Sequence, residues 1–117
     1  MSRMAKYQGP GLTELRRGVV EYCVMSLLSA EEMYGFQLVE TLASHDGLVT
    51  SEGTMYPLLG RLHDAGLVNT NWKQEGSNRP RKYYSLTSAG VAALDAFRND
   101  WARFRDTVDK VLSVSGE

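Results

Sequence analysis

The chain is poor in cysteine: Cys23 is its only one, so no disulfide can form within it. A lone thiol is typical of a reducing compartment, and we therefore expect a cytoplasmic protein. Long apolar runs are also missing, because none approaches the roughly 18 residues of a membrane helix. The basic first residues are not followed by an apolar segment, so we expect neither a membrane span nor a signal peptide.

Patterns that indicate catalysis or metal binding are equally scarce. The sequence contains no glycine-rich phosphate loop and no nucleophile paired with a base, which argues against an enzyme. His45 and His63 have no ligands at metal spacing, and we interpret both as ordinary surface or turn residues. We therefore expect no metal and no cofactor, and we interpret Cys23 as a small buried hydrophobic residue.

The net charge of −1 is small, but the charges are unevenly distributed. Residues 1–17 carry four basic groups and one acid, whereas residues 18–60 carry six acids and no base. Residues 61–82 are again basic, with five bases and two acids. Because a polyanion responds to local potential more than to total charge, the two basic zones are compatible with nucleic-acid binding. A solvated surface loop is the alternative interpretation of such a cluster.

Apolar residues at helical spacing predict three helices, over about residues 13–28, 34–42 and 51–65. Gly66 suits the position just past the end of the third helix. Pro57 must lie in the first turn of that helix or kink it, because proline has no N–H and clashes with the preceding turn. One face of the third helix is apolar and consists of Met55, Leu58, Leu59 and Leu62.

The periodicity changes after the third helix. Residues 67–72 and 81–86 are typical of strands, and the Gly, Asn and Pro residues between them predict a β-hairpin. We expect Trp72 to lie in the core. Since side chains alternate across a strand, we expect one of Tyr83 and Tyr84 to be buried and the other exposed.

Thr87 is the predicted cap of a last helix that ends at about residue 112. Apolar residues in this helix are spaced alternately by three and four, as in the seam of a coiled coil. Such a seam needs another helix to cover it: the first helix of the same chain, the same helix of a second chain, or both. The seam, which we predict to be the dimerisation surface, consists of Leu94, Phe97, Trp101, Phe104, Val108 and Val111.

Three helices, a hairpin and a long helix define the predicted fold class: mainly α (α+β), a winged helix-turn-helix with a long C-terminal dimerisation helix. In this architecture the third helix enters the major groove of DNA, and the hairpin forms a wing beside it. The predicted units are a flexible arm at 1–11, the winged helix-turn-helix domain at 12–86, the dimerisation helix at 87–112 and a tail at 113–117.

The predicted DNA contacts lie at the start of the second helix, along the third helix and on the wing. The bases of the wing are dense enough to favour phosphate contact over simple solvation. Alternatives stay open for three residues: Tyr56 as a plug between helix and wing, and Thr50 and Ser51 as helix caps. The full set of predicted contacts is Tyr34, Thr50, Ser51, Thr54, Tyr56, Arg61, Arg79, Arg81 and Lys82.

Three ordered motifs make the chain resemble the PadR family, in particular its short members that end after one C-terminal helix. The motifs are Tyr34-Gly35, residues 53–62 followed by 66–68, and residues 79–90, and the resemblance spans roughly residues 12–112. It implies a bacterial or archaeal repressor that binds a palindromic operator as a homodimer, paired through the C-terminal helices. It also implies a response to small aromatic compounds.

In some short members a tryptophan at the position of Trp101 stacks planar ligands between the two subunits. The resemblance therefore makes Trp101, with Tyr22 and Phe97, the candidate ligand site, and plain packing of the dimer core is the alternative. Winged helices also serve as protein-binding domains. The second function that we consider is accordingly a protein–protein interaction module without operator binding.

Overall fold

The computed structural model describes residues 11–45, 48 and 50–115, and the side chains of these residues apart from 11–17 and 115. Most of the predicted arm, at 1–10, lies outside the described residues, as do residues 116 and 117 of the predicted tail. Among the described helices, none has the length and apolarity that crossing a membrane requires.

The described residues form four helices and three strands. Helix α1 spans Gly11–Ala30, strand β1 Met33–Tyr34, helix α2 Gly35–Ala43, helix α3 Glu52–Asp64, strand β2 Val68–Lys73, strand β3 Arg81–Leu86 and helix α4 Ser88–Ser115. This is the predicted order of a winged helix-turn-helix with a long C-terminal helix. The structure adds the two-residue β1, which the sequence pattern missed because two residues are too few to show alternation.

The helix ends differ from the predictions by a few residues. Helix α1 begins two residues earlier and ends two residues later than expected, so Gly11 is helical rather than part of an arm. Helix α4 continues to Ser115, through most of the predicted tail. Pro57 is the sixth residue of α3, in its second turn rather than its first, where it cannot donate to the carbonyl of Gly53.

The end of α3 is fixed by a glycine, as predicted. Gly66 has a φ of 77°, in the left-handed region that a residue with a Cβ rarely adopts. Its N–H donates to the carbonyl of His63 at 3.0 Å, and the N–H of Leu67 donates to the carbonyl of Leu62 at 3.0 Å. These two bonds form a Schellman motif, which satisfies the last carbonyls of α3 and directs the chain into β2.

The three strands form one antiparallel sheet in the order β1-β3-β2. Within the wing Val68 pairs with Leu86, Thr70 with Tyr84 and Trp72 with Lys82. Val68 and Tyr84 are buried and join the hydrophobic core, which lies between this face of the sheet and the helices. The other core residues are Val20, Val24, Met25, Leu28, Leu38, Leu42, Met55, Leu58, Leu59, Leu62 and Leu94.

Two predictions about the strands are wrong. Trp72 is 64% exposed, because β2 extends past the core and every residue from Asn71 to its end is exposed. Tyr83 and Tyr84 are both buried, although they point to opposite faces of β3. Tyr84 lies in the core, whereas the ring of Tyr34 and the Lys73 side chain cover Tyr83 on the other face.

The start of α4 is held against the junction of α3 and β2. The Thr87 hydroxyl donates to the carbonyl of Gly66 at 2.8 Å and accepts from the N–H of Gly90 at 3.0 Å, which confirms Thr87 as the cap. The N–H of Thr87 donates to the carbonyl of Leu67 at 3.0 Å. Gly90 is buried there, and a Cβ on it would lie 2.2 Å from that same carbonyl oxygen.

We expect Gly90→Ala to lower the free energy of unfolding by about 1–3 kcal/mol, because the added methyl group overpacks a backbone contact that cannot yield without moving α4. Urea denaturation at one fixed protein concentration measures the change. The matched control is Gly18→Ala in α1, where a Cβ meets nothing within 4 Å. That variant should gain up to about 1 kcal/mol from helix propensity. Equal stabilisation by both substitutions would contradict the close contact at Gly90.

Candidate nucleic-acid interface

An open groove of about 550 Å³ runs between α3 and the wing. One wall is formed by α3 and the start of α2, and the other is formed by β2 and β3. The groove combines aromatic rings with cationic side chains. Its lining residues are Tyr34, Gly35, Tyr56, Gly60, Trp72, Arg81, Lys82 and Tyr84.

The first turn of α3 is capped by its own side chains. Ser51 Oγ accepts a hydrogen bond from the N–H of Thr54 at 3.2 Å and donates to Thr54 Oγ1 at 3.3 Å. The capping interpretation of Ser51 is therefore confirmed, and a role in phosphate binding stays a prediction. Thr54 is exposed on the first turn, and Thr50 is half-buried just before it.

Tyr56 bridges α3 and α2 while keeping 46% of its surface exposed. Its ring lies over Gly35, where a Cβ would come within 2.5 Å of Tyr56 Cε1, so only a glycine admits the ring in this position. Burial, the charge of Glu52 and a hydrogen bond to the Glu52 carboxylate together raise the pKa of the Tyr56 hydroxyl. The hydroxyl therefore stays protonated. The ring therefore packs between α3 and α2, whereas a plug between helix and wing stays a prediction, and the exposed edge of the ring lies in the groove.

Arg81 is held in place by a tyrosine from the start of α2. Its Nη1 donates to the Tyr34 hydroxyl at 3.0 Å, and its guanidinium carbon lies 4.4 Å from the centre of the Tyr34 ring. Because this hydrogen bond involves one of five guanidinium N–H groups, the others can bind an anion in a fixed orientation. A pre-oriented guanidinium loses less rotamer entropy on binding than a free one.

The rest of the wing carries further cations. Lys82 is exposed, with Nζ 5.9 Å from the centre of the Tyr84 ring. Arg79 is exposed in the turn. Lys73 lies over the ring of Tyr83 at 4.9 Å and is ion-paired with Glu32, so it contributes less free positive charge than Arg79 or Lys82.

Arg61 lies apart from this cluster. Its Nε donates to the Glu21 carboxylate of α1 at 3.4 Å, and its side chain is 62% exposed. The structure thus brings Tyr34, Tyr56, Arg81 and Lys82 into one groove and ties Arg61 to α1. The sequence prediction missed Trp72 as a groove residue. Its position near the end of the predicted strand, close to the hairpin turn, was the signal that could have revealed it.

A second cluster of aromatic rings lies between α1 and α4. The rings of Tyr22 and Phe97 stack in parallel at 4.0 Å. Trp101 continues the stack at 6.0 Å from Phe97, and Phe104 follows at 6.4 Å from Trp101. Trp101 is 37% exposed and Phe104 is 63% exposed. The three candidate ligand residues are therefore neighbours, and the stack extends from the core to the exposed half of α4.

One residue of the predicted dimer seam is not available to a partner. Leu94 is only 2% exposed and packs in the core of its own chain, because the first turns of α4 lie against α1 and the sheet. Phe97 is half-buried against Tyr22, and Val108 is also half-buried. The exposed part of the seam begins at Trp101.

The described residues contain no group of three or more His, Cys, Asp or Glu that could hold a metal ion. Cys23 is half-buried and packs against the core. Burial raises the pKa of its thiol, which keeps the less nucleophilic protonated form.

Comparison with known proteins agrees with this architecture. Residues 24–96, more than half of the chain, match the transcriptional regulator PadR-like family. A PadR family transcriptional regulator from Eggerthella lenta is 40% identical with a TM-score of 0.78, covering 86% of this chain and 88% of that one. A PadR-like transcriptional regulator from Bacillus cereus is 34% identical with a TM-score of 0.78, covering 85% and 96%.

A relative of known sequence is similar over a comparable length. Transcriptional regulator Rv3488 from Mycobacterium tuberculosis is 34% identical over 83 residues, which cover 71% of this chain and 76% of the relative. The fold, the groove beside α3 and these likenesses agree. The chain belongs to the PadR-like family of transcriptional regulators, whose members regulate transcription by binding DNA.

Proposed function

We propose that this regulator is a repressor, that it binds a palindromic operator as a homodimer, and that a small aromatic effector releases it. The observation that carries the DNA-binding part is the groove in which exposed cations of the wing face the exposed side of α3. A helix of this kind fits the major groove, where base edges can be distinguished, while cations beside it neutralise phosphates.

The proposed contacts fall into two groups. The start of α3 and the exposed edge of Tyr56 approach the bases, and the wing and Tyr34 hold the backbone. Arg61 has the weakest support among them, because its Nε already donates to Glu21. The proposed set is Tyr34, Thr50, Ser51, Thr54, Tyr56, Arg61, Arg79, Arg81 and Lys82.

We expect the protein to bind DNA from upstream of its own gene more tightly than scrambled DNA of equal length. The affinity should fall steeply with salt, because each neutralised phosphate releases counterions. Lys82→Ala should weaken binding and reduce the slope of log K against log salt by about 1. Arg79→Ala should act in the same direction. Fluorescence anisotropy of labelled DNA over a salt series measures both quantities.

The matched control is Arg103→Ala. Arg103 lies on the opposite face of α4 from the seam, and its side chain is 80% exposed and paired with Asp100. Removing this cation changes the net charge as Lys82→Ala does, but far from the groove, so the slope should stay as in the wild type. Equal weak binding to both DNAs would reject an operator-binding regulator. It would favour the second function, a winged-helix module that binds another protein.

The observation that supports the proposed homodimer is the exposed apolar face on the second half of α4. This helix has 28 residues, about 42 Å at the usual rise, and its two buried residues among those described, Gly90 and Leu94, lie in its first two turns. Phe104 is 63% exposed and the Trp101 ring is 37% exposed, an apolar face that a second α4 would cover. Pairing two chains would also present two α3 helices, which a palindromic operator requires about one helical turn apart.

We expect Phe104→Glu to convert the dimer into a monomer, because burying two carboxylates in the seam opposes association by more than about 3 kcal/mol. Sedimentation velocity measures the change, and circular dichroism should stay that of the wild type, since Phe104 lies outside the core. Lys110→Glu, at an exposed position on the outer face of α4, is the control and should stay dimeric. A wild-type protein that sediments as a monomer at micromolar concentration would reject the dimer.

The effector site is proposed at the stack of Tyr22, Phe97 and Trp101. Planar rings that already stack offer a surface to another planar ring, and the exposed face of Trp101 is where it would add. Glu21, next to Tyr22 on α1, is the residue that pairs with Arg61 of α3. A ligand that moves α1 against α4 would therefore shift α3 and misplace the two halves of the dimer on DNA.

We expect planar aromatic compounds, tested as a panel of cationic and anionic members, to quench the emission of Trp101 in a Trp72→Phe variant. The same compounds should weaken operator binding over the same concentration range, since binding and release are linked. Trp101→Ala should abolish the effect of the compounds on DNA binding. Compounds that quench Trp101 but leave operator affinity unchanged would mean that the stack is only packing.

A further inference from the structure

Trp72 is the most exposed aromatic side chain of the wing. It is 64% exposed, although the large indole ring is usually buried to a high degree. We propose that Trp72 is a DNA contact, and that its indole ring packs on the sugar–phosphate backbone beside the wing. This inference rests on the proposed function and names a residue that the sequence patterns assigned to the core.

Trp72 lines the same groove as several of the predicted contacts. Trp72 pairs with Lys82 across the wing, and both share a face of the sheet with Tyr84. This face forms one wall of the groove, and the exposed edge of Tyr56 lies on the opposite wall. A duplex seated on α3 would therefore meet the indole ring and the Lys82 ammonium side by side.

The side chains along the groove indicate which kind of molecule binds in it. Exposed Arg79, Arg81 and Lys82 stand on and beside the groove, and Glu75 is the only acid in residues 73–82. A wall that alternates aromatic rings with cations matches a polymer that alternates apolar sugars with anionic phosphates. The indole contributes an apolar face and one N–H donor, which fit a deoxyribose and a phosphate oxygen respectively. We therefore assign the groove to DNA rather than to a peptide.

Loss of an apolar contact with DNA and loss of an ionic one differ in their effect on the salt dependence of binding. Trp72→Ala should weaken binding roughly tenfold, as expected if about 60 Å² of apolar surface is no longer buried. The loss should be the same for operator and scrambled DNA, because sugars carry no sequence information. The salt slope should stay unchanged, since no charge is removed, whereas Lys82→Ala lowers it. Trp72→Phe should recover most of the affinity.

Fluorescence tests the contact directly. The chain has two tryptophans, so Trp101→Phe leaves Trp72 as the only indole reporter. Operator DNA should shift the emission of this variant and protect it from acrylamide quenching, and anisotropy of the labelled DNA should report binding in the same titration. Trp72→Phe, with only Trp101 left, is the matched control and should show no comparable protection by DNA.

The outcomes separate this inference from the proposed function. Wild-type binding to operator DNA together with unchanged Trp72 emission and unchanged affinity of Trp72→Ala would overturn the contact alone. A changed salt slope in Trp72→Ala would overturn it too, because the substitution would then act by displacing Lys82. A wild-type protein that binds neither DNA would overturn the proposed function and this inference together.

Discussion

The packing of α4 against the junction of α3 and β2 is the constraint on which the rest of this structure depends. The carbonyl of Leu67 accepts from Thr87, and the backbone of Gly90 approaches it so closely that a Cβ has no space. The Schellman motif at Gly66 fixes the same junction from the side of α3. One short segment therefore sets the direction of α3, which we propose to face DNA, and of α4, which carries the exposed apolar seam.

In the proposed regulator, this arrangement couples the position of α4 to the position of α3. A change in how two α4 helices meet would reach α3 through the close backbone contact between Gly90 and the carbonyl of Leu67. The second link between these parts runs through α1, where Tyr22 stacks on Phe97 and the neighbouring Glu21 pairs with Arg61. The first link is backbone packing and is rigid. The second is an exposed ion pair, which contributes little stability and can be remade in another arrangement.

At Tyr83 and Tyr84 the wing is covered on both faces of the sheet. Tyr84 joins the core, while Tyr83 is buried beneath Tyr34 and Lys73 on the opposite face. Tyr34 belongs to β1 and occupies the N-cap position of α2, where its N–H donates to Gln37 Oε1, so the same residue links the sheet, the helix before α3 and the guanidinium of Arg81. Positive groups near the groove are thus held by aromatic rings, which restricts their motion without neutralising their charge.

The sequence by itself determined the order of helices and strands, the apolar face of α3, its end at Gly66 and the cap at Thr87, because these depend on local spacing and backbone preference. It also selected Tyr34, Tyr56, Arg81 and Lys82, which the structure brings together in one groove. Only the tertiary structure decided what each face meets. It exposed Trp72, buried both Tyr83 and Tyr84, drew Leu94 into its own core and tied Arg61 to Glu21. Alternation along a strand or helix divides side chains into faces, but burial depends on which distant segment covers each face, and β1 was too short to predict.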